Sequence, residues 1–200
     1  LGINDFAFLS NGSQIKTIKH FKNLKSKLAL AQKRLAKKQR RSKNREKAKA
    51  KVITIHEKIA NKRNDFLHKE SKTLVKAYDL IVHENLMIKN MSRSAKGTVD
   101  TPGKMVKQKA GLNRNILDMS WGRFLGMLAY KAEEAGTQVK GVPPNYTSIR
   151  CSDCHEVVPK TLKDRQHSCP NCGLDINRDH NAAINILNKS NKTIILDTLS

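Results

Sequence analysis

The chain has 200 residues, enough for one ordinary core or one modest core with a small appendage, and too few for two large domains. Its 39 lysines and arginines against 17 acids leave a net charge of +22, and the partner that gains most from such a surface is a polyanion, nucleic acid first. A membrane surface is the weaker alternative, because the basic residues lack a dense Trp/Phe/Leu face and no apolar run approaches the roughly 20 residues that cross a bilayer.

The N-terminus has no basic stretch followed by an apolar one, so the chain reads as soluble and cytoplasmic. In chain order, Ile3 to Leu9 and Gln14 to Ile18 flank Asn11-Gly12, a pair that predicts a two-residue hairpin because both positions accept positive φ. From about His20 the period changes to that of a helix, with Phe21, Leu24, Leu28, Ala31 and Leu35 on one stripe. Lys37 to Lys51 is nearly continuous Lys/Arg, with Glu46 its single acid, and reads either as a solvated helix extension or as a mobile connector. Helical spacing resumes with Val52, Ile55, Ile59, Phe66, Leu74, Val75 and Tyr78, so a pair of long basic helices over about 20–78, antiparallel, is the simplest account.

Leu80 to Glu84 reads as a buried strand ending in a carboxylate, and Lys89 to Ala110 as a loop. Ile116, Leu117, Trp121, Phe124, Leu125, Leu128 and Ala132 predict one amphipathic helix stopped by Gly136, with Trp121 in the core and not stacking on bases. Thr137 to Val142 predicts another strand, ended by Pro143-Pro144, and Asp179 to Asn188 a short helix.

All four cysteines fall between Cys151 and Cys172 in the pattern C-x2-C-x14-C-x2-C. Each pair suits a tight knuckle that aims two thiolates at one ion, and two knuckles close a tetrahedron. Cys151, Cys154, Cys169 and Cys172 are therefore expected to hold structural Zn2+, a disulfide pair or an iron–sulfur site being the alternatives. His155 and His167 are spare ligand candidates that a full set of cysteines makes unnecessary.

Three segments carry a family resemblance: Val142-Pro143-Pro144-Asn145-Tyr146-Thr147-Ser148 ahead of Cys151-Ser152-Asp153-Cys154, then Cys169-Pro170-Asn171-Cys172-Gly173, then Asn177-Arg178-Asp179-His180-Asn181-Ala182-Ala183. Together they resemble the C-terminal part of TnpB, the OrfB-type protein of bacterial and archaeal insertion sequences, related to miniature type V CRISPR nucleases. Leu1 to Ala7, Ile81 to Leu86 and Ser120 to Phe124 are similar to the same family in the same order, so the resemblance covers nearly the whole chain.

The resemblance implies an α/β fold: an RNase H-like (RuvC) mixed sheet with a long basic helical pair and an inserted zinc ribbon. The division would be a nuclease core over 1–145, the ribbon over 146–175 and a closing helix and tail over 176–200. It implies a transposon-associated, RNA-guided DNA endonuclease with guide RNA and DNA as partners, in a bacterial or archaeal cytoplasm near the nucleoid. RuvC-type chemistry uses clustered carboxylates to hold two Mg2+ ions across a phosphodiester. On that reading Glu84 and Asp179 are catalytic carboxylates and Arg165, between the knuckles, contacts the scissile phosphate.

Each of these residues also has a plain reading: a strand-end Glu and a helix N-cap Asp are common for structural reasons, and Arg165 could be a surface phosphate clamp. The family's first catalytic Asp stands immediately before the Leu-Gly pair, and the sequence starts at Leu1, so it reads as a fragment, catalytically impaired as given. Strand alternation turns Asp5 away from the face that such an Asp would share. His155 stands where the family has a glycine. The competing function is a non-catalytic DNA/RNA-binding zinc-ribbon module from a truncated or decayed element. A ribosomal-type zinc-ribbon accessory protein would leave Glu84, Asp179 and the helical pair unexplained.

Overall fold

The computed structural model describes residues 1–17, 20–161 and 163–197. Of the expectations above, Ile18, the side chain of Phe21, Leu162 and the tail past Asp197 lie outside the described detail.

Strands β1 (Asp5–Phe8) and β2 (Gln14–Lys16) pair antiparallel. The predicted hairpin forms, but its turn is longer than two residues. Gly12 N donates to Leu9 O at 3.1 Å, Gly12 has φ 87°, and Leu9 N donates to Ser13 O at 2.9 Å. That is a three-residue loop with glycine in the left-handed position, and Asn11 serves it by accepting from Ser13 N through its side chain at 3.0 Å.

Helix α1 (His20–Ala36) leads into α2 (Lys43–Ala77), 35 residues or about 52 Å of helix. From Lys43 to Lys51 the basic stretch is solvated helix, one of the two readings, and only residues 37–42 form a turn, which is closed by specific bonds. Ser42 caps α2 by accepting from Arg45 N, and the Arg45 guanidinium donates back to Leu35 O and Lys38 O, both at 3.1 Å. A cation thereby adds to the Lys38 N bond on Leu35 O and satisfies the Lys38 carbonyl just past the end of α1. Lys25 of α1 and Arg63 of α2 both reach Asp118, an antiparallel arrangement.

Strand β3 (Leu80–Glu84) pairs in parallel with β4 (Gln138–Val142), the last rung being Glu84 opposite Val142. The crossover holds α3 (Ile88–Met91), α4 (Val106–Met119) and α5 (Trp121–Ala135). Two expectations change here. Helix α4 begins at Val106, inside the segment read as a loop, and the single helix around Trp121 is two. Ser120 adopts φ 54°, ψ 39° and ends α4 as it opens α5, which turns the faces so that Ile116 and Met119 are buried and Leu117 is left 57% exposed. Gly136 stops α5 as predicted, with Thr137 N bonded to Ala132 O at 2.9 Å.

The core lies where β1 meets α2 and α5. Phe6 is edge-on to both Phe66 and Phe124, at centroid distances of 5.0 and 4.9 Å, beside the buried Leu67, Trp121 and Leu128. Strands β5 (Gln166–Ser168) and β6 (Asp175–Asn177) form an antiparallel ribbon, and α6 (Arg178–Asp197), longer than predicted, packs on β1, β3, β4 and the ribbon. The fold is mixed α/β, but among the described residues the strands stand as three two-stranded sheets and not one mixed sheet.

Candidate functional site

Glu84 ends β3, and Asp179 stands in the first turn of α6. Because α6 packs across β3, the two side chains line one cavity of about 350 Å3, together with Leu1, Asp5, Thr147 and Arg178. Asp179 is not the helix cap. Asn177 holds that place, its Oδ1 accepting from Asp179 N at 2.8 Å and His180 N at 3.4 Å, which leaves the Asp179 carboxylate for the cavity. Arg178 Nε lies 3.4 Å from Asp179 Oδ1 and its Nη1 donates to Asp164 O at 2.9 Å, tying α6 to the ribbon loop. Thr147 Oγ1 donates to Glu84 Oε1 at 2.6 Å, with Pro144 O at 3.1 Å as the competing acceptor.

Asp5 is among the residues around this cavity. Leu1 to Asn4 are not a strand: Gly2 N donates to Phe6 O, and the pairing slips between Asp5 and Ala7, so alternation cannot be counted from Leu1. Asp5 is paired with Lys16 at 2.9 Å. Arg165 is exposed and outside the residues that line the cavity; its carbonyl accepts from Arg178 N at 2.9 Å. Sequence reasoning thus passed over Thr147 and Arg178. Both stood inside quoted motifs, but only the packing of α6 brings them to Glu84 and Asp179.

The cysteines meet as the spacing predicts. Cys151 Sγ and Cys172 Sγ are 3.6 Å apart, Cys154 and Cys169 3.5 Å, and all four sulfurs lie within 4.8 Å of one another. A ZnS4 tetrahedron with bonds of about 2.3 Å has edges of about 3.8 Å, so the cluster suits one metal ion. Its knuckles are built alike: Cys151 N bonds to Glu156 O and Cys169 N to Leu174 O, both at 2.8 Å, with His155 (φ 65°) and Gly173 (φ 76°) at matching positions. His155 therefore adopts the left-handed backbone that its place demands. The amide of Asn171, then the Glu156 backbone, draws the Cys154 thiol down to about 6. Cys172 is pushed up to about 12: the Leu174 backbone bond favours its thiolate, but desolvation and the neighbouring sulfurs outweigh it. Four crowded sulfurs cannot all ionise without a cation among them.

Two buried asparagines one turn apart on α6 lock the first knuckle in place. Asn181 accepts from Ser152 N at 2.9 Å and donates to Arg150 O at 2.8 Å, and Asn185 donates to Thr147 O at 3.0 Å and Arg150 O at 2.7 Å. Buried amides are costly unless satisfied, so these bonds tie α6 firmly to the loop that carries the first knuckle. No helix among the described residues is long and apolar enough to cross a membrane.

Residues 1–95 match the family described as "Probable transposase", of OrfB type, and residues 121–186 match "Cas12f1-like, TNB domain". The Escherichia coli K12 protein named "Putative RNA-guided DNA endonuclease InsQ" is 42% identical over 187 residues, 93% of this chain and 46% of that protein. The chain is a TnpB-type protein. A Streptomyces pristinaespiralis protein named "Putative RNA-guided DNA endonuclease" is 34% identical over 188 residues, 93% of the TnpB-type chain and 43% of the relative. The TnpB-type chain thus spans under half the length of these curated relatives. Among solved structures, its fold resembles a Cas12f1 chain from a cryo-EM complex with single-guide RNA and target DNA, with TM-score 0.55 and 20% identity over 89% of this chain and 44% of that one.

Proposed function

We propose that this chain supplies the cleavage core of an RNA-guided DNA endonuclease of RuvC type, with Glu84 and Asp179 as its catalytic carboxylates. The observation that carries the reading is that these two residues, far apart in sequence, line one cavity, with a hydroxyl bonded to one of them. Oxygen-rich cavities of this kind suit Mg2+, which is commonly held by one or two carboxylates and completed by substrate phosphate and water. When bound there, Mg2+ would polarise the phosphodiester and its water nucleophile. The chain's own part is to fix the Glu84 carboxylate through Thr147, to cap the helix that carries Asp179 through Asn177, and to offer Arg178 as a positive charge beside Asp179. Arg165, on the exposed approach to the ribbon, is assigned to the phosphate backbone of the substrate.

The names of the relatives support DNA and guide RNA as partners, and the net charge of +22 supports a polyanionic one. The four cysteines are assigned a structural Zn2+, because four thiolates leave no open coordination position. The proposed division is a RuvC-like core over 1–145, the ribbon over 146–175 and the closing helix from 176 onward.

The competing reading is a binding-only role, which the strongly basic composition would serve equally well. The deciding experiment takes the protein at the full length its gene encodes, with guide RNA, target DNA and Mg2+. Glu84→Ala and Asp179→Ala are each expected to abolish cutting and leave target binding intact. Cutting that persists without either carboxylate would sink the nuclease reading, and a full-length protein that binds but never cuts would establish the binding-only role.

A further inference from the structure

A second cavity, about 320 Å3, shares the Thr147 wall with the carboxylate cavity. It is lined by Tyr146, Arg150, His155 and Asn188 as well, and no acidic residue is among the described residues around it. Its size falls at the lower end of the range for small-ligand sites. Tyr146 is 62% exposed and held at φ 62°, and His155 is exposed at φ 65°. Neither ring is buried for stability. The His155 backbone answers to its knuckle, but Tyr146 stands at positive φ outside both knuckles, and such backbone in a non-glycine residue is concentrated at functional sites. Lys189 donates to the carbonyls of Pro143 and Asn145 and so ties the loop that presents Tyr146 to α6, while buried Asn185 holds the Thr147 carbonyl. The aromatic face is thus presented by a braced loop.

We propose that this cavity receives an unstacked nucleobase of a single strand, stacked on Tyr146 with His155 as the second ring. Every base has a π-face, so two aromatic rings accept it whatever its identity, and the exposed Arg150 guanidinium supplies a cation for the adjoining phosphate. The Asn188 amide can donate to or accept from the base edge. Duplex DNA keeps its bases stacked and paired, so the cavity selects single strands. The direction of the strand rests on the nuclease reading. With Thr147 as the wall of both cavities, a base seated here puts the neighbouring phosphodiester beside Glu84 and Asp179.

The test measures binding of the zinc-loaded chain to a single-stranded DNA oligonucleotide carrying one 2-aminopurine, whose fluorescence is quenched by stacking, and to a duplex of the same sequence. Tyr146→Gly suits the positive φ and removes the ring, while Tyr146→Phe keeps it. Tyr146→Gly is expected to weaken single-strand binding about 5- to 150-fold and to lose the quenching, with duplex affinity and salt slope unchanged. Tyr146→Phe is expected to bind like the parent. Unchanged single-strand affinity in Tyr146→Gly, or an equal loss on duplex, would overturn the proposal. Glu84→Ala keeps the two ideas apart: it is expected to leave quenching intact, so the base site can stand or fall independently of cleavage.

Discussion

The hydroxyl of Thr147, ahead of the first knuckle, is bonded to the carboxylate of Glu84 at the end of β3, 2.6 Å apart across 63 positions of sequence. Bonds to a charged acceptor are roughly twice as strong as neutral ones and hold the acceptor in one orientation. Thr147→Val preserves shape and deletes the donor, so cleavage by the full-length protein is expected to fall about 10- to 150-fold, in line with the roughly 1.5–3 kcal/mol of a charge-assisted bond. Thr147→Ser should restore most of it. Single-turnover rates with binding measured in parallel decide the point, and a Thr147→Val enzyme that cuts at the parent rate would remove Thr147 from the site.

Metal analysis of protein purified without chelators is expected to find about one zinc per chain, because four converging thiolates lose their mutual repulsion only around a cation. Cys151→Ser or Cys172→Ser should disorder the ribbon while helical circular dichroism from α1, α2 and α5 persists. Zinc binding displaces thiol protons, so its affinity should weaken as pH is lowered. Metal-free protein with four reactive thiols and an ordered ribbon would contradict the assignment.

The two knuckles offer an internal comparison, since His155 and Gly173 occupy equivalent positions at φ 65° and 76°. A non-glycine residue in this region carries about 1–2 kcal/mol of strain, part of which glycine returns as unfolded-state entropy. His155→Gly is therefore expected to stabilise the zinc-loaded ribbon by about 1 kcal/mol, read as resistance to chelator or to heat. His155→Ala keeps the strained Cβ and should gain nothing, so equal gains from both would show that strain is not the cause.

Lys37, Lys38, Arg40 and Arg41 are exposed in the turn between α1 and α2. Each phosphate they neutralise releases counterions, so DNA or RNA affinity should fall steeply with salt. Replacing all four by Gln should reduce the log–log salt slope by up to about 3.6 if every one meets a phosphate of a duplex. A slope that stays at the parent value would place the nucleic acid elsewhere on the molecule.

Local chemistry was legible wherever neighbouring residues decide it. The knuckle spacing brought the four sulfurs together, Leu80 to Glu84 formed its strand at the boundaries read from the β-branched run, and Gly136 stopped α5. The reading failed where a distant group intervenes. Lys37 to Lys51 looked indeterminate because the bond that closes its turn comes from Arg45 reaching back to carbonyls of the previous helix. The break at Ser120 splits a stripe that period alone would run straight through.

Composition and spacing by themselves determined a strongly cationic chain with a four-cysteine cluster suited to a metal ion, since charge and ligand count survive any arrangement of the backbone. Only the tertiary structure decided which carboxylates meet and what stands between the cavities. Those relations depend on α6 lying across β3 and on Asn181 and Asn185 anchoring the first knuckle to that helix. Long-range packing sets such distances, and no residue's own propensity encodes them.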